Sequence, residues 1–422
     1  MTTKKNMRWT PLAALPKFRS RLLLGWLVGS ALLAPGAAWA LGLRIPSHDA
    51  EAMARGNAFA ATADNPSALY YNPAGITQLE GHNAQFGMLS YFGINSRYES
   101  FTGTRAHTDF NIEPVPQFYY TYTPKGSPLS YGLGIYAPFG LGIEWPEDAF
   151  RTLAIQARLY YVTFNPTIAW RIHSTLSLAI GPTVDYSNIT LRRGLLNPAP
   201  GTDYLKFRGE DYNVGFHAGL LWQPHQRWSF GLNYRSPSTM NYRGSTEYTG
   251  FGSTTSSAEL NYPRIISGGV SFRPNPKWNI EAGVDWTDWN TLNTVYFRNT
   301  PLNAIVGPSL AFPLNWESSF FYQLGVTRYL NGGYFLSAGY FFSENSTSER
   351  DFNPTVPDTN LHTGSFGVGY KGDKWRWAVA SQIITGPKRE VINSTPSLAG
   401  QSADGKYQFF IPAILLTVGY HF

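Results

Sequence analysis

The sequence offers few groups of residues that could carry out acid–base, nucleophilic or metal chemistry. Eight histidines occur, and no two have the His-x-x-x-His spacing of a metal site on a helix. The Gly-x-Ser-x-Gly motif of a nucleophilic serine is absent, and with no cysteine the chain has no thiolate chemistry. We therefore predict that the protein is not an enzyme and that it uses no metal and no cofactor.

One short stretch, Pro138-Phe139-Gly140, points to a structural rather than a chemical site. Proline removes a hydrogen-bond donor from a β-ladder, and the neighbouring glycine weakens and bends the strand. Within a strand the three residues predict a kink. Alternatively, Pro138 marks the place where the strand ends.

Two Asn-Pro pairs divide the segment 64–75, DNPSALYYNPAG. Asn65 is suited to cap a short helix that begins at Pro66, and Pro73 forces Asn72 out of the helical conformation. In the turn Asn72-Pro73-Ala74-Gly75, we expect Gly75 to adopt a positive φ. An alanine-rich stretch over 47–61, with Ser47 as its cap, predicts a further helix.

The first 40 residues have the pattern of a secretory signal peptide. A basic start is followed by an apolar stretch over 22–33 and by the cleavage-site pattern Ala38-Trp39-Ala40, so the mature chain is expected to start at Leu41. All six surplus positive charges of the chain lie in this leader. The remainder is formally neutral, which gives no support to nucleic-acid binding.

The rest of the chain alternates with period two between large apolar side chains and small or polar ones. In the last segment, Ile414, Leu416 and Val418 share one face, and Leu415 lies on the other. Together with 13 Trp, 26 Tyr and 27 Phe, only 14% charged residues and no run of apolar residues long enough for a membrane helix, this pattern predicts a transmembrane β-barrel.

Turn signals divide the barrel into fourteen strands, which predicts an all-β, 14-stranded antiparallel barrel. The predicted strands are 83–99, 113–124, 129–143, 157–173, 174–192, 206–224, 226–243, 255–273, 277–297, 315–329, 331–345, 357–371, 373–390 and 405–422. Short and long connections alternate, as they do between the periplasmic and external ends of bacterial barrels.

Several segments resemble one family of outer-membrane proteins. GNAFAATADNPSALYYNPAG is similar to the N-terminal hatch of the FadL/TodX transporters for hydrophobic compounds, YGLGIYAPFGLGIEW resembles their third strand, and the C-terminal TVGYHF resembles the assembly signal of outer-membrane barrels. The resemblance implies a signal peptide over 1–40, a helical hatch in the lumen over 41–82 and a barrel over 83–422. It also implies a location in the bacterial outer membrane, and we expect a monomer recognised by the barrel-assembly machinery through Phe422.

The same resemblance implies passive transport of hydrophobic small molecules. Long-chain fatty acids are the expected cargo, with aromatic hydrocarbons or alkanes as the alternative. Capture at external loops would precede an internal pocket and lateral exit into the membrane through a kink at Pro138, Phe139 and Gly140. We expect the helix 66–71 and the Asn72 turn to press against that kink, with Asn72 bonding the backbone groups that it leaves free.

Candidate cargo-binding residues follow from the strand alternation and from one external loop. Phe321, Phe335 and Phe341 are expected to face inward, lining either a dry pocket or the contact with the hatch. Phe150 and Leu153 belong to an apolar external segment, 145–157, that predicts a short helix and forms either a binding surface or packing against a neighbouring loop. Arg158 and, second, Arg192 are candidate partners for a cargo carboxylate, although both fit ordinary rim charges. A general diffusion porin and a barrel lipase remain alternatives of other classes.

Overall fold

The computed structural model describes residues 42–92, 95–195, 203–250, 252–303 and 307–422. The predicted signal peptide lies outside these residues. The strand segments join into fourteen barrel strands. Their bounds are β1 Gly81–Phe92 and Asn95–Glu99, β2 Arg105–His107 and Ile112–Thr123, β3 Leu129–Tyr136 and Gly140–Glu144, β4 Gln156–His173, β5 Leu176–Gly194, β6 Tyr204–His225, β7 Trp228–Arg235 and Ser238–Tyr248, β8 Gly252–Tyr262 and Ile265–Asn275, β9 Trp278–Thr287 and Val295–Asn303, β10 Gly307–Phe312 and Ser319–Tyr329, β11 Tyr334–Ser343, β12 Leu361–Lys371, β13 Trp375–Thr385 and Arg389–Val391, and β14 Gly405–His421.

Each strand pairs antiparallel with its neighbours in the chain, and β1 pairs with β14 to close the barrel. The closing ladder runs from Asn83 opposite His421 to Tyr91 opposite Ala413. The prediction of a fourteen-stranded antiparallel barrel is confirmed. The bounds differ most for β2, which begins at Arg105 rather than 113, and for β10, which begins at Gly307 rather than 315. In both places a break in the strand interrupts the alternation on which the prediction relied.

The alternation of side chains across the wall is as predicted. On β14, Ile414 and Leu416 are 43% and 47% exposed, whereas Leu415 between them is fully buried. Phe321 and Phe341 are likewise buried, between exposed neighbours such as Phe320 and Tyr340. The lumen side of the wall is therefore packed, and the apolar outer side is left for lipid. Among the described residues, no helix is both long and apolar enough to cross a membrane.

Residues 42–80 precede the barrel and pack inside it as the hatch. They contain the helices α1 Ala50–Ala54 and α2 Ala68–Tyr71 and a 3-10 helix, Pro73–Gln78. The prediction of a helix over 47–61 was wrong in extent. Gly56 and Asn57 have φ values of 63° and 64°, which end α1 after one turn, and the hydroxyl of Ser47 donates to Gln382 instead of capping a helix.

Gly75 also differs from its prediction. It lies inside the 3-10 helix and is not among the residues with positive φ. A Cβ atom there would lie 2.2 Å from the carbonyl oxygen of Ala63. Glycine is thus required for close packing and not for a turn.

Candidate functional site

The wall is interrupted at β3, between Tyr136 and Gly140. Because β3 resumes and pairs with β4 from Gly140 opposite Tyr160 to Glu144 opposite Gln156, Pro138 does not mark the end of the strand. The side chain of Phe139 is 3% exposed and contacts the rings of Tyr161 and Tyr262, with centroids 5.2 and 4.9 Å away. The interruption therefore turns an aromatic side chain into the lumen.

The interruption leaves a gap between β2 and β3. Their ladder begins at Tyr122 opposite Tyr131 and stops at Phe118 opposite Ile135. Residues 112–117 of β2 still pair with β1 but have no ladder to β3. Pro114 and Pro116 lie in this stretch, which is consistent with the preference of proline for strand edges.

The first residues of the hatch cover the interruption from inside. The amide of Ile45 donates to the carbonyl oxygen of Pro138 at 2.9 Å, and the amide of Gly140 donates to that of Leu43 at 2.9 Å. Arg44 and Phe139 thereby form an antiparallel bridge. The hatch thus satisfies two of the backbone groups that the break frees, the carbonyl oxygen of Pro138 and the amide of Gly140.

The Asn72 turn does not bond the backbone groups freed at Pro138 and Gly140, and its predicted contact with the kink was wrong. The side-chain amide of Asn72 donates to the carbonyl oxygens of Ala60 at 2.7 Å and of Leu220, in β6, at 2.9 Å. The turn 72–75 rests on β6, where Gly219 leaves room for it. Asn65 accepts from the amide of Ser67 at 2.9 Å and donates to Asp49, so it fixes the start of α2 within the hatch.

Buried ion pairs hold the hatch to the wall. Arg55 and Glu281 are both fully buried, with Nη2 and Oε2 3.1 Å apart. Glu281 also accepts from the amide of Ala61 at 2.8 Å. Arg44 pairs with Asp285, and Lys371 of β12 pairs with Glu51 at 2.7 Å. These contacts fix the hatch at three separate strands, β9 and β12 by charge and β3 by its backbone.

Arg235 is a buried cation without a carboxylate partner among the described residues. It is 7% exposed and ends the first segment of β7. Its Nη1 donates to the hydroxyl of Tyr136 at 3.1 Å, and its Nη2 has no hydrogen-bond partner. The guanidinium lies 5.2 Å from the ring centre of Tyr70 and 5.1 Å from that of Tyr136. An unpaired buried charge costs several kcal/mol, so this position is suited to receive an anion.

The lumen beside Arg235 is nearly filled. A cavity of about 20 Å³, room for roughly one water molecule, lies between Arg235, Arg44, Tyr70, Asp285 and Gln323. Any larger ligand must displace part of the hatch or rotate side chains. Two lining residues, Arg235 and Tyr70, contact Tyr136, the last residue before the interruption of β3.

The three phenylalanines predicted to face inward all do so, but they do not form one pocket. Phe321 and Phe341 pack together, with ring centroids 4.5 Å apart, and the guanidinium of Arg44 lies 5.4 Å from the ring of Phe321. Phe335 follows the short connection after β10 and lies 5.6 Å from the ammonium group of Lys371. Of the two predicted arrangements, a dry pocket or a contact with the hatch, the contact is the one present. Arg44 of the hatch packs on Phe321, which packs on Phe341.

The external segment 145–157 forms turns, so the predicted helix was wrong. Backbone hydrogen bonds link Ala149 to Pro146 and Ala154 to Phe150, but no full helical turn follows. Phe150 is fully buried against Trp145 and Tyr98. Of the two alternatives for this residue, packing against neighbouring loops is the one present.

Arg158 and Arg192 lie on the outer face of the wall and are partnered. Arg158 is 3.6 Å from Glu144, and Arg192 donates to Glu147 at 2.6 Å. Neither points into the lumen, so the structure does not bring them together with Phe321 and Phe341.

Comparison with known proteins explains this arrangement. A model of the family "Outer membrane protein transport protein (OMPP1/FadL/TodX)" matches residues 31–408. The chain belongs to this family. This member is thus an outer-membrane transport protein for hydrophobic compounds and not an enzyme, and the porin and lipase alternatives are set aside.

Individual relatives are distant in sequence but alike over most of their length. A long-chain fatty acid transport protein of Salmonella typhi is 21% identical over 377 residues, which cover 80% of this chain and 85% of the relative. A solved Pseudomonas aeruginosa FadL homologue superposes with a TM-score of 0.81 at 16% identity, covering 90% of this chain and 100% of the other. The P. putida toluene transporter TodX gives 0.70 at 16% identity, covering 89% and 99%.

Sequence reasoning missed three residues that this transporter assembles beside the interruption: Arg44, Tyr136 and Arg235. Alternation from Gly231 through Asn233 places Arg235 on the inward face, and this signal was present in the sequence. Pro114 and Pro116 in EPVPQF were a further signal, since two prolines in one predicted strand indicate an edge. Arg44 had no comparable signal because its position depends on the path of the hatch.

The hatch packs closely on glycines of the wall, so we expect a larger side chain at one of them to displace it. A Cβ atom on Gly231 would lie 2.0 Å from the carbonyl oxygen of Ala60. We expect Gly231→Val to prevent the hatch from seating while the barrel still assembles, which raises single-channel conductance in planar bilayers. Gly268→Val is the control, because a Cβ there meets nothing within 4 Å. Equal conductance of both variants would contradict the close fit.

Proposed function

We propose that the protein carries long-chain fatty acids passively across the outer membrane, with capture at an external groove, an internal site at Arg235 and lateral exit through the gap between β2 and β3. The observation that carries the proposal is the unpaired, buried guanidinium of Arg235 next to Tyr136, which precedes the break in β3. A carboxylate head group would supply the missing charge. Five curated relatives named as long-chain fatty acid transport proteins are 20–21% identical to this chain, and they support the same cargo here.

An apolar groove at the outer end of the barrel is suited to the capture step. It is lined by side chains of β5, β6, β9 and β10 and by Leu153; the apolar wall residues are Leu191, Leu205, Phe207, Phe297, Leu310 and Phe312. Two arginines of β5 also line it: Arg192, which pairs with Glu147, and Arg193, which has no ion pair among the described residues. The groove combines an apolar surface for an alkyl chain with a cation for its carboxylate. Leu153 therefore keeps its proposed role in binding, whereas fully buried Phe150 supports the loop beneath.

Release into the membrane would follow the gap. The hatch strand 43–45 would have to leave Pro138 and Gly140, which requires breaking two backbone hydrogen bonds and the Arg44–Asp285 pair. Cargo that binds Arg235 lies beside Tyr136 and so reaches the interruption without crossing the length of the lumen. This supports lateral exit over a path straight through the hatch, which three sets of buried contacts hold in place.

Straightening β3 tests the exit route. We expect the double variant Pro138→Val with Gly140→Val to lose uptake of a labelled fatty acid by at least about tenfold while external binding is retained, because a continuous ladder closes the gap. Uptake by cells and binding to the purified protein are measured separately.

The control places the same substitutions in strands without a break. Pro412→Val with Gly364→Val alters β14 and β12, and a Cβ on Gly364 meets nothing within 4 Å. Normal uptake by the straightened protein would rule out lateral exit. Loss of binding as well as uptake by the straightened protein alone would place the defect at capture.

Aromatic hydrocarbons are the second candidate cargo, and one observation favours them. The interruption is surrounded by aromatic rings, with Phe139 packed between Tyr161, Tyr262 and Trp289. Competition for binding between a long-chain fatty acid and toluene separates the two cargoes. Displacement of toluene by the fatty acid, without the reverse, supports the acid as cargo.

A further inference from the structure

A polar cleft of about 450 Å³ lies on the outside of the barrel across β6 to β9. It forms where β9 leaves the wall between Thr287 and Val295, and where Trp289 and Leu292 turn inward with 1% exposure each. The polar lining comes from outward-facing side chains of four adjacent strands, among them Asn241, Arg243, Ser257, Glu259, Asn261 and Arg298. The cleft is separate from the lumen and from the apolar external groove.

The depth of the cleft relative to the membrane follows from β8. Its outward side chains at Ile266 and Val270 are apolar and 37% and 39% exposed, as expected against lipid. At Arg264, which pairs with Asp288 at 2.8 Å, the outer surface becomes charged, and Glu259 and Ser257 follow. Charged side chains on the lipid side are tolerated near the interface and beyond, so the cleft lies at the depth of the outer head groups.

Two arginines in the cleft stand in one row across three strands. Arg243 of β7 is opposite Ser257 of β8, and Ser257 is opposite Arg298 of β9. Adjacent strands are about 4.8 Å apart, so the two arginines start roughly 10 Å from each other. Both side chains are exposed, and within the described part of the chain neither has an ion pair or a hydrogen bond. Two long guanidinium side chains at this spacing can converge on one anionic group.

The carboxylates nearest this row are partly engaged elsewhere. Glu210, opposite Arg243, accepts from the hydroxyl of Tyr186 at 2.7 Å, and Asp211 accepts from the amide of Asn241 at 2.6 Å. Further basic side chains continue outward on β4, β5 and β6: Arg158, Arg192, Lys206 and Arg208. Acids alternate with these bases, because Arg158 and Arg192 are paired with Glu144 and Glu147 and Lys206 lies opposite Glu247. The surface around the cleft is therefore of mixed charge, and the two arginines of the row differ from Arg158 and Arg192 in having no ion pair within the described residues.

We propose that this cleft binds the phosphorylated head group of an outer-leaflet glycolipid, with one phosphate between Arg243 and Arg298. Planar guanidinium groups bind phosphate oxygens in a bidentate manner. Asn241, Asn261 and Glu259 offer amide and carboxylate groups to sugar hydroxyls. The exposed rings of Tyr212 and Tyr296 border the cleft, at 69% and 48% exposure, and anchor the interface. Cargo is a poor candidate for this site because the lining is mainly polar, and the inference does not depend on which cargo is carried.

The test uses the full-length protein in detergent with three probes: diphosphorylated lipid A, the same lipid after removal of its phosphates, and phosphatidylglycerol. We expect diphosphorylated lipid A alone to raise the unfolding temperature and to be retained through gel filtration, with retained lipid measured by mass spectrometry. Arg243→Gln with Arg298→Gln should weaken retention about tenfold or more. Arg227→Gln with Lys277→Gln, in the short turns before β7 and β9 at the other end of the barrel, is the charge-matched control.

The possible results distinguish a glycolipid from other occupants of the cleft. Equal retention by the double variant and the control would overturn the site. Equal binding of phosphatidylglycerol would show a general phosphate site and overturn the assignment to a glycolipid, and equal binding of the dephosphorylated lipid would overturn the role of the arginines. If the double variant retains the lipid normally but no longer self-associates, the cleft is an interface between two copies and the proposal fails.

Discussion

Replacing Glu281 with alanine is expected to release the hatch from the barrel. Arg55 would keep its full burial and lose its carboxylate, while the amide of Ala61 and the hydroxyl of Thr62 would lose their acceptor. Breaking a buried pair by removing one partner costs about 3–5 kcal/mol, which is comparable to the whole stability of a small domain. We expect residues 42–80 to become sensitive to protease and the open-channel conductance to approach that of a protein lacking residues 41–80.

Two comparisons make that result specific. Glu259→Ala removes an exposed acid of the neighbouring strand and should leave both measurements unchanged. Replacing both partners, Arg55→Met with Glu281→Met, removes the charge as well as its counter-charge and should restore protease resistance in part. A Glu281→Ala protein whose hatch is as resistant as that of the wild type would show that the pair does not hold the hatch.

Replacing Arg235 with leucine is expected to change binding and stability in opposite directions. Fatty-acid affinity should fall about tenfold to a hundredfold, because the anion loses its cationic partner in a site of low polarity. The free protein should be as stable as the wild type or more so, since the substitution removes a buried cation that forms no ion pair among the described residues. Calorimetric titration with a fatty acid and thermal unfolding measure the two effects.

A long-chain alcohol of equal length provides the first control and should bind both proteins alike. Arg158→Leu provides the second, since that arginine lies on the outer face beside Glu144 and should leave affinity unchanged. If Arg158→Leu lowers the affinity and Arg235→Leu does not, the carboxylate binds at the rim and the internal site proposed here is wrong.

The barrel could be predicted from the sequence because its signals are local and repeated. Within each strand, apolar and small or polar side chains alternate, as at Ile414, Leu415 and Leu416. The turns between strands are marked by residue types that favour turns, such as glycine, proline and asparagine. The interruption at Pro138 was also local. The hatch was different, because Ser47 and Asn72 bond to β13 and β6 and no pattern within the hatch indicates which strand each one meets.

The candidate site was predicted less well for the same reason. Arg158 was chosen by its closeness in sequence to an apolar loop. In β4, however, side chains alternate between the two faces of the wall, and Arg158 is at an outward-facing position. Arg235 lies about 100 residues from the interruption in sequence and contacts it through Tyr136. Contacts between residues so far apart in sequence form only when the barrel closes. No short stretch of the sequence indicates which residues they bring together.

The gap between β2 and β3 has a consequence for contacts between neighbouring molecules. A closed barrel has no free strand edge, whereas an open seam creates two edges that could each accept a strand from another chain and seed intermolecular sheets. On one edge, Pro114 and Pro116 have no amide hydrogen to offer such a strand. On the other, residues 43–45 already occupy Pro138 and Gly140, so the chain supplies its own added strand. The missing ladder between β2 and β3 is thus protected from becoming a template for aggregation.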